Sequence, residues 1–480
     1  MNMKNTSFLN YSRGITLQEY CSRVLNAMNH AEALDRCKRE IDIELAVLMQ
    51  KRPIIWDRPD ADVCYFERLN ELKTLLEQGA GADDVRAFSD RIRRITRKKI
   101  HALFLTEEVS CWPSIESLFK AASQSPDYHA TLVYTPFEHH NLLEKKDYYQ
   151  AYKNDYHLPV VRHDQYHLES DSPDVVFMIK PYSGVPERYR PNAILSVIPR
   201  VVYVPYGMEI TVDLVKFAFQ HYLQLKAWRH CAYGSIVKDY AERYGYCCGE
   251  NVVVWGHPKA DQYLSPHKPS EEIQRFINGR KSILWTPHHL IDLSKPGTGT
   301  WLIWGRQILE IALQNPDIAF IFRPHPMMMG ALINNGYLSE EEAKELENRI
   351  AASGNILWDR NDSYVDAIRA ADAIITDGTT FSIEFLYTGK PILLTPRNME
   401  GFYAREDMLE SYYVVQDIAD VEDFIRMIRC GNDPLKTKRL ALREKMLYLP
   451  EGKTVGQNII ENVKKDLEKD CREGVCAYVR

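Results

Sequence analysis

From about residue 130 onward the chain alternates between two patterns. Short apolar, largely β-branched runs read as buried strands, and stretches whose apolar residues recur every three or four positions read as helices. Residues 132–134, 175–179, 201–204 and 252–255 are runs of the first kind, with helical patterns over 212–228 and 236–244 between them. The stretch Ser265-Pro266-His267-Lys268-Pro269-Ser270 then punctuates the chain. A second series follows, with strands at 283–285, 318–322, 355–358, 373–375 and 391–394 and helices over about 305–314, 339–351, 364–370 and 381–387. Strands alternating with helices predict parallel sheets covered on both faces. The expected fold class is α/β, two Rossmann-like lobes with a central cleft.

The first hundred residues follow a different pattern. Leu34, Ile41, Leu45 and Leu48 repeat at helical spacing, a second helical stretch covers 63–76, and Asp83-Asp84 after Gly79-Ala80-Gly81 opens a third. That third helix is strongly basic: Arg86, Arg91, Arg93, Arg94, Arg97, Lys98 and Lys99 stand against Asp90, beside a stripe of Val85, Phe88, Ile92, Ile95 and Leu103. Such a helix suits a solvated face or an anionic membrane surface. The expected organisation is an α-helical region over 1–105, a first lobe over 106–268 and a second over 269–480, whose final helical piece can cross back to the first sheet.

Composition narrows the classes. With 480 residues, 45% hydrophobic and 26% charged, the chain can bury sizeable cores. A net charge of -6, with aromatics not interleaved among the basic residues, gives no reason to expect a nucleic-acid partner. Ten cysteines lack C-x-x-C pairs, so reduced thiols in a cytoplasmic setting are expected. The histidines of His163-Asp164-Gln165-Tyr166-His167 and of His139-His140 lack a helix to aim them at one ion. The expectation is no metal and no cofactor. No apolar run nears the roughly 20 residues of a membrane span, and no basic-then-apolar leader opens the chain. Membrane contact would be peripheral, through the helix over 86–99.

Candidate chemistry gathers at two predicted strand ends, Ile321-Phe322-Arg323-Pro324-His325-Pro326 and Ile374-Ile375-Thr376-Asp377-Gly378-Thr379-Thr380. Ligands of open α/β sheets bind beyond the carboxyl ends of the strands, and a helix N-terminus there favours anions. Arg323 can grip phosphate oxygens, and His325 can stabilise or protonate a leaving phosphate. The competing readings are that Arg323 pairs with a carboxylate, His325 packs between prolines, and Asp377 serves as an ordinary helix cap. His288 and His289, after Trp285-Thr286-Pro287, end another strand, and Lys295-Pro296-Gly297-Thr298-Gly299-Thr300 lacks P-loop spacing.

Four motifs in this order, Trp255-Gly256-His257-Pro258-Lys259-Ala260-Asp261, Arg323-Pro324-His325-Pro326, Thr376-Asp377-Gly378-Thr379-Thr380 with Glu384, and Gly389-Lys390-Pro391, resemble those of the CDP-glycerol glycerophosphotransferases of teichoic-acid and capsule synthesis. The resemblance covers roughly 200–450. It implies a GT-B fold and a CDP-polyol donor held by Arg323, His325, Asp377, Thr379 and Thr380, with Glu384 facing a ribose hydroxyl or solvent. Lys259 would add a cation from the lobe junction. The acceptor would be a glycan or lipid-linked hydroxyl, and CMP would leave. Where the family carries a W-H-G histidine as base, this chain has Pro205-Tyr206-Gly207. A free phenol titrates near pH ~10, so His288 or His289, and after them Glu209, are the candidates to replace it, while His325 acts on the leaving phosphate. The rival readings are a GT-B glycosyltransferase using a nucleotide sugar such as a CMP-sugar, and a non-catalytic assembly protein.

Overall fold

The computed structural model describes residues 17–50, 62–95, 99–137, 147–171, 173–198, 200–208, 219–245, 247–266, 268–294, 298–397 and 406–472. Two parallel sheets organise it. Seven strands form the first, in the order β3-β2-β1-β4-β5-β6-β7: β1 (Ile100–Thr106), β2 (Tyr128–Tyr134), β3 (Val160–Arg162), β4 (Val175–Met178), β5 (Val201–Tyr203), β6 (Arg229–Cys231) and β7 (Val252–Val253). Six form the second, in the order β10-β9-β8-β11-β12-β13: β8 (Lys281–Thr286), β9 (Ile318–Phe322), β10 (Ile356–Trp358), β11 (Ala373–Thr376), β12 (Ile392–Leu394) and β13 (Tyr413–Val414). Every residue of β4, β9 and β11 is buried, as the uninterrupted apolar runs require of strands covered on both faces. Phe104 of β1 stacks on Phe177 of β4 at 4.6 Å, and Trp285 of β8 lies 4.7 Å from Phe322 of β9.

Among the described residues four helices precede the sheets: α1 (Leu17–Ala27), α2 (Ala31–Gln50), α3 (Asp62–Glu77) and α4 (Ala82–Ile95). They build a small core of their own from Tyr20, Val24, Ile41, Leu45, Leu69, Leu72, Val85 and Phe88. The helices named below are α5 (Glu116–Gln124), α6 (Lys259–Leu264), α7 (Val365–Ala370), α8 (Thr379–Leu386) and α9 (Val455–Arg472). The last returns from the second lobe to the first. Gly456 approaches α5 so closely that a Cβ there would lie 2.4 Å from the Ser117 carbonyl oxygen. Farther along, Tyr128 donates to Ile460 O at 2.6 Å and Lys464 pairs with Asp127 at 2.6 Å.

Several expectations need correction. The first sheet opens at Ile100, inside the segment read as helical, and Leu103 lies in β1 rather than on the basic helix. Val85 and Phe88 of α4 are buried in the helical core, so that part of its stripe is not offered to a membrane. The described part of the 212–228 stretch is a single short helix at Tyr222–Lys226, followed at Arg229 by the unexpected strand β6. The final helical piece does cross back as expected: α9 lies against the first lobe although its sequence falls within the second. Among the described residues no helix is long and apolar enough to cross a membrane.

Candidate active site

The strand order of each sheet reverses at one place, between β1 and β4 in the first and between β8 and β11 in the second. Such switch points open a crevice beyond the strand ends. The two edges meet where Lys259 of α6 donates to Tyr206 O, after β5, at 2.6 Å and to Glu384 Oε1, on α8, at 2.5 Å.

At the second switch point Asp377 follows β11 and is 2% exposed. Its carboxylate accepts from His288 N at 2.7 Å, from Thr300 N at 2.6 Å and from Thr300 Oγ1 at 3.0 Å. Burial pushes its pKa up to about 7, against those hydrogen bonds. Asp377 thus braces both ends of the 288–300 loop instead of facing a ligand. Gly378, in an extended conformation, precedes α8, whose first turn carries no side-chain cap. Thr379 opens that helix and Thr380 is half-buried on its first turn. The leading N–H groups of a helix lack partners within it and favour an anion.

Beside this helix start the loops after β8 and β9 bring three imidazoles together. Ring centroids are 4.4 Å apart for His288 and His289, 4.0 Å for His289 and His325, and 5.1 Å for His288 and His325. His325 is placed by its backbone N–H, which donates to Pro287 O at 2.9 Å. Nδ1 of His288 receives Leu290 N at 3.3 Å, and Nδ1 of His325 receives Met327 N at 3.2 Å. These contacts assign the proton of each neutral ring to Nε2. Burial, reinforced by His289, lowers the His288 pKa to about 3, so this ring is a neutral N–H donor rather than a base. Ligand nitrogens of the three rings lie within 4.8 Å of one another, a grouping the sequence reading did not foresee. That spacing suits a divalent ion or an oxyanion, and the Nδ1 contacts favour the oxyanion.

Other expected donor ligands are engaged elsewhere. Arg323 donates to Asp359 Oδ2 at 2.7 Å, to Asn361 O at 2.7 Å and to Ser363 O at 3.4 Å, bracing the loop after β10. Its partner carboxylate is 1% exposed. The carboxylate-pair reading is therefore the one observed. Lys259 and Glu384 are 2% and 1% exposed, with the Tyr263 hydroxyl on the other carboxylate oxygen and Tyr364 bonded to the lysine. Burial alone would lower the Lys259 pKa, but Glu384 and Tyr364 hold it above the ordinary value. This quartet ties the lobes together and faces no donor.

The rest of that motif is structural too. Gly256 adopts φ 89°. His257 Nε2 donates to Pro205 O at 2.6 Å, and burial keeps its pKa down to about 3. Asp261 accepts from Val455 N at 2.9 Å and Gly456 N at 3.0 Å, capping α9. Glu209, His139, His140 and 295–297 lie outside the described residues. A cavity of about 390 Å³ between the lobes is lined by Trp112, Glu116, Tyr156, Ser363 and Arg369, and by none of the three imidazoles.

The first switch point holds a cluster that sequence reasoning missed. Glu107 and Glu108 follow β1, and Lys180 follows β4, pairing with Glu108 in a buried contact. Lys180 sits 4.1 Å from the Phe137 ring centroid, and the Tyr182 and Tyr206 hydroxyls are 3.3 Å apart. The available signal was an adjacent pair of acids closing the apolar run over 102–105.

No protein-family model matches the chain, and no curated protein matches it in sequence. Solved structures do match in fold. The UDP-GlcNAc 2-epimerase of Neisseria meningitidis, bound to UDP-GlcNAc, aligns at TM-score 0.51 and 14% identity over 76% of this chain and 100% of that one. The enzyme of the same name from Methanocaldococcus jannaschii aligns at TM-score 0.51 and 15% identity, covering 76% and 99%. A variant of the wall teichoic acid polymerase TagF aligns at TM-score 0.47 and 11% identity, covering 84% and 98%. Identities this low speak to fold alone: two Rossmann-like lobes of the GT-B type.

Proposed function

We propose that this chain is a transferase that takes a CDP-activated polyol, CDP-glycerol in the first instance, and passes the polyol phosphate to a hydroxyl of a cell-envelope glycan or lipid-linked acceptor. The observation that carries the reading is the convergence of His288, His289 and His325 beside the uncapped start of α8 at the switch point of the second sheet. Neutral N–H donors and helix amides fixed in place can hold a diphosphate and stabilise charge that grows on the leaving phosphate. On this reading the diphosphate lies against the Nε2 atoms of His288 and His325 and the amides of Thr379 and Thr380. Asp377 and Arg323 act behind it by holding the loops. Attack by the acceptor oxygen on the distal phosphorus breaks its bond to the bridging oxygen, whose electron pair leaves on CMP.

The departure at Tyr206 favours a second reading, a glycosyltransferase of the same fold using a CMP- or UDP-linked sugar. Release of nucleotide from CDP-glycerol, CMP-sugars and UDP-sugars, with a glycan primer present, separates the two. CMP freed from CDP-glycerol supports the first; turnover of a nucleotide sugar alone replaces it with the second. Turnover of none, with cellular function surviving H325A, would leave the assembly-protein reading.

A further inference from the structure

The crevice between β1 and β4 is built like the donor crevice and is not used by it. Two acids, Glu107 and Glu108, face one cation, Lys180, and Lys180 bonds Glu108. Cys111 Sγ leans on the same Glu108 carboxylate at 3.7 Å. Glu107 is 5% exposed, and its Oε2 has no hydrogen-bond partner among the described residues. An unsatisfied buried oxygen of this kind destabilises the fold, because it has lost water and gained no partner. Such a group needs an explanation, and it stands at the place where an open α/β sheet holds its ligand. Around Lys180, which stands between this crevice's two acids and its rim, lie the Phe137 and Tyr206 rings at 4.1 and 5.6 Å, with the Tyr182 ring 6.1 Å from Tyr206 and edge to face. Aromatic surfaces with polar rims suit a sugar or polyol.

We propose that Glu107 is the base that takes the proton of the attacking acceptor hydroxyl, the role that Tyr206 cannot fill. The inference rests on the transferase reading above and supplies its missing proton acceptor. The acceptor O–H bond breaks and its proton passes to Glu107 Oε2. The freed oxygen pair bonds to the electrophilic centre of the donor, the bond to the leaving nucleotide breaks, and Glu107 later returns the proton to solvent. Burial pushes the Glu107 carboxyl up to about 8; Lys180 opposes this and Glu108 reinforces it. Cys111, pushed up to about 12, and Tyr152, raised well above its ordinary value, stay neutral through this range. Only ionised Glu107 can accept a proton. Turnover should therefore rise about tenfold per pH unit below 8 and level off above it.

The test compares the full-length wild type with E107Q and E107D. Nucleotide release is followed from pH 6 to 9 with CDP-glycerol, CMP-sugars and UDP-sugars, and CDP binding is measured by calorimetry. Glutamine matches the shape of the protonated acid, so E107Q should keep its melting temperature and its CDP affinity. Its kcat should fall at least 100-fold with the donor that the wild type uses, and the ascending limb should vanish, while E107D keeps a displaced limb. An E107Q kcat within threefold of wild type, or an unchanged pH profile, overturns the proposal. If the wild type turns over sugars but not CDP-glycerol, the donor reading fails while the Glu107 result still stands or falls on its own limb. If no donor turns over, the infrared carboxyl band lost in E107Q decides: titration near pH 8 supports the poised acid, and titration below pH 6 overturns it.

Discussion

Replacing Lys259 with Met would break the clasp between the lobes while keeping a chain of similar length in the cavity. In the wild type the ammonium lies 2.5 Å from Glu384 Oε1 and 2.6 Å from Tyr206 O, and both charged side chains are almost wholly buried. Removing one member of such a pair strands the other charge and typically costs about 3–5 kcal/mol. At about 1.4 kcal/mol per decade, this shifts the equilibrium away from the native state by roughly a hundred- to several-thousand-fold. Urea titration followed by the fluorescence of the stacked Trp285 and Trp301 should show the loss, and hydrogen exchange should rise over 256–264 and 379–387. The companion variant, Lys259→Met with Glu384→Leu, strands no charge and should recover most of the stability, since well-packed apolar pairs often replace buried ion pairs at little cost. If Lys259→Met costs under about 1 kcal/mol, or the double variant costs the sum of the two singles, the clasp is not the tie described here.

His325→Ala and Arg323→Ala should part company: the first should lower nucleotide release about 10²–10³-fold without moving the melting temperature. Arg323→Ala leaves buried Asp359 unpaired and should lower the melting temperature first, and Arg323→Lys should not rescue it, because one ammonium cannot reproduce the planar fork that meets Asp359 and Asn361 O. The Asp377 carboxyl has a folded pKa near 7, above its unfolded value of about 3.9. The folded state therefore holds this proton more tightly, and its contribution to stability is present at low pH and lost as pH rises through 7. Unfolding between pH 4 and 8 should show a steeper fall of stability in the wild type than in Asp377→Asn, which keeps only the share of Glu107. Asp377→Ala should loosen the 288–300 loop and weaken CDP binding, as read by calorimetry.

Burial made the strands legible where whole runs are apolar, as in β4 and β9. It hid β6, whose Arg229-His230-Cys231 carries no apolar signature, and β13, which is two residues long. β1 was lost because its apolar run follows directly on a basic amphipathic helix with a matching stripe. At the site, the histidines and the start of α8 could be read because they sit at strand ends. The roles of Arg323 and Lys259 could not be. Their partners come from 36 and 125 residues away, and no local pattern announces which charges will be buried face to face. A segment expected to help hold the donor is a joint: Gly256 to Asp261 ties the loop after β5, α8 and α9 to one another.

Helix α9 has a consequence for biosynthesis. Ile459, Val463 and Leu467 complete the same apolar core as Phe104 and Leu118, yet the ribosome makes them more than three hundred residues later. Domains usually fold as they emerge, N-terminal first. Here the earlier lobe must wait, with the flank of α5 bare, until translation of the second lobe is finished. A premature stop near residue 450 would release a chain whose defect lies in the half already made.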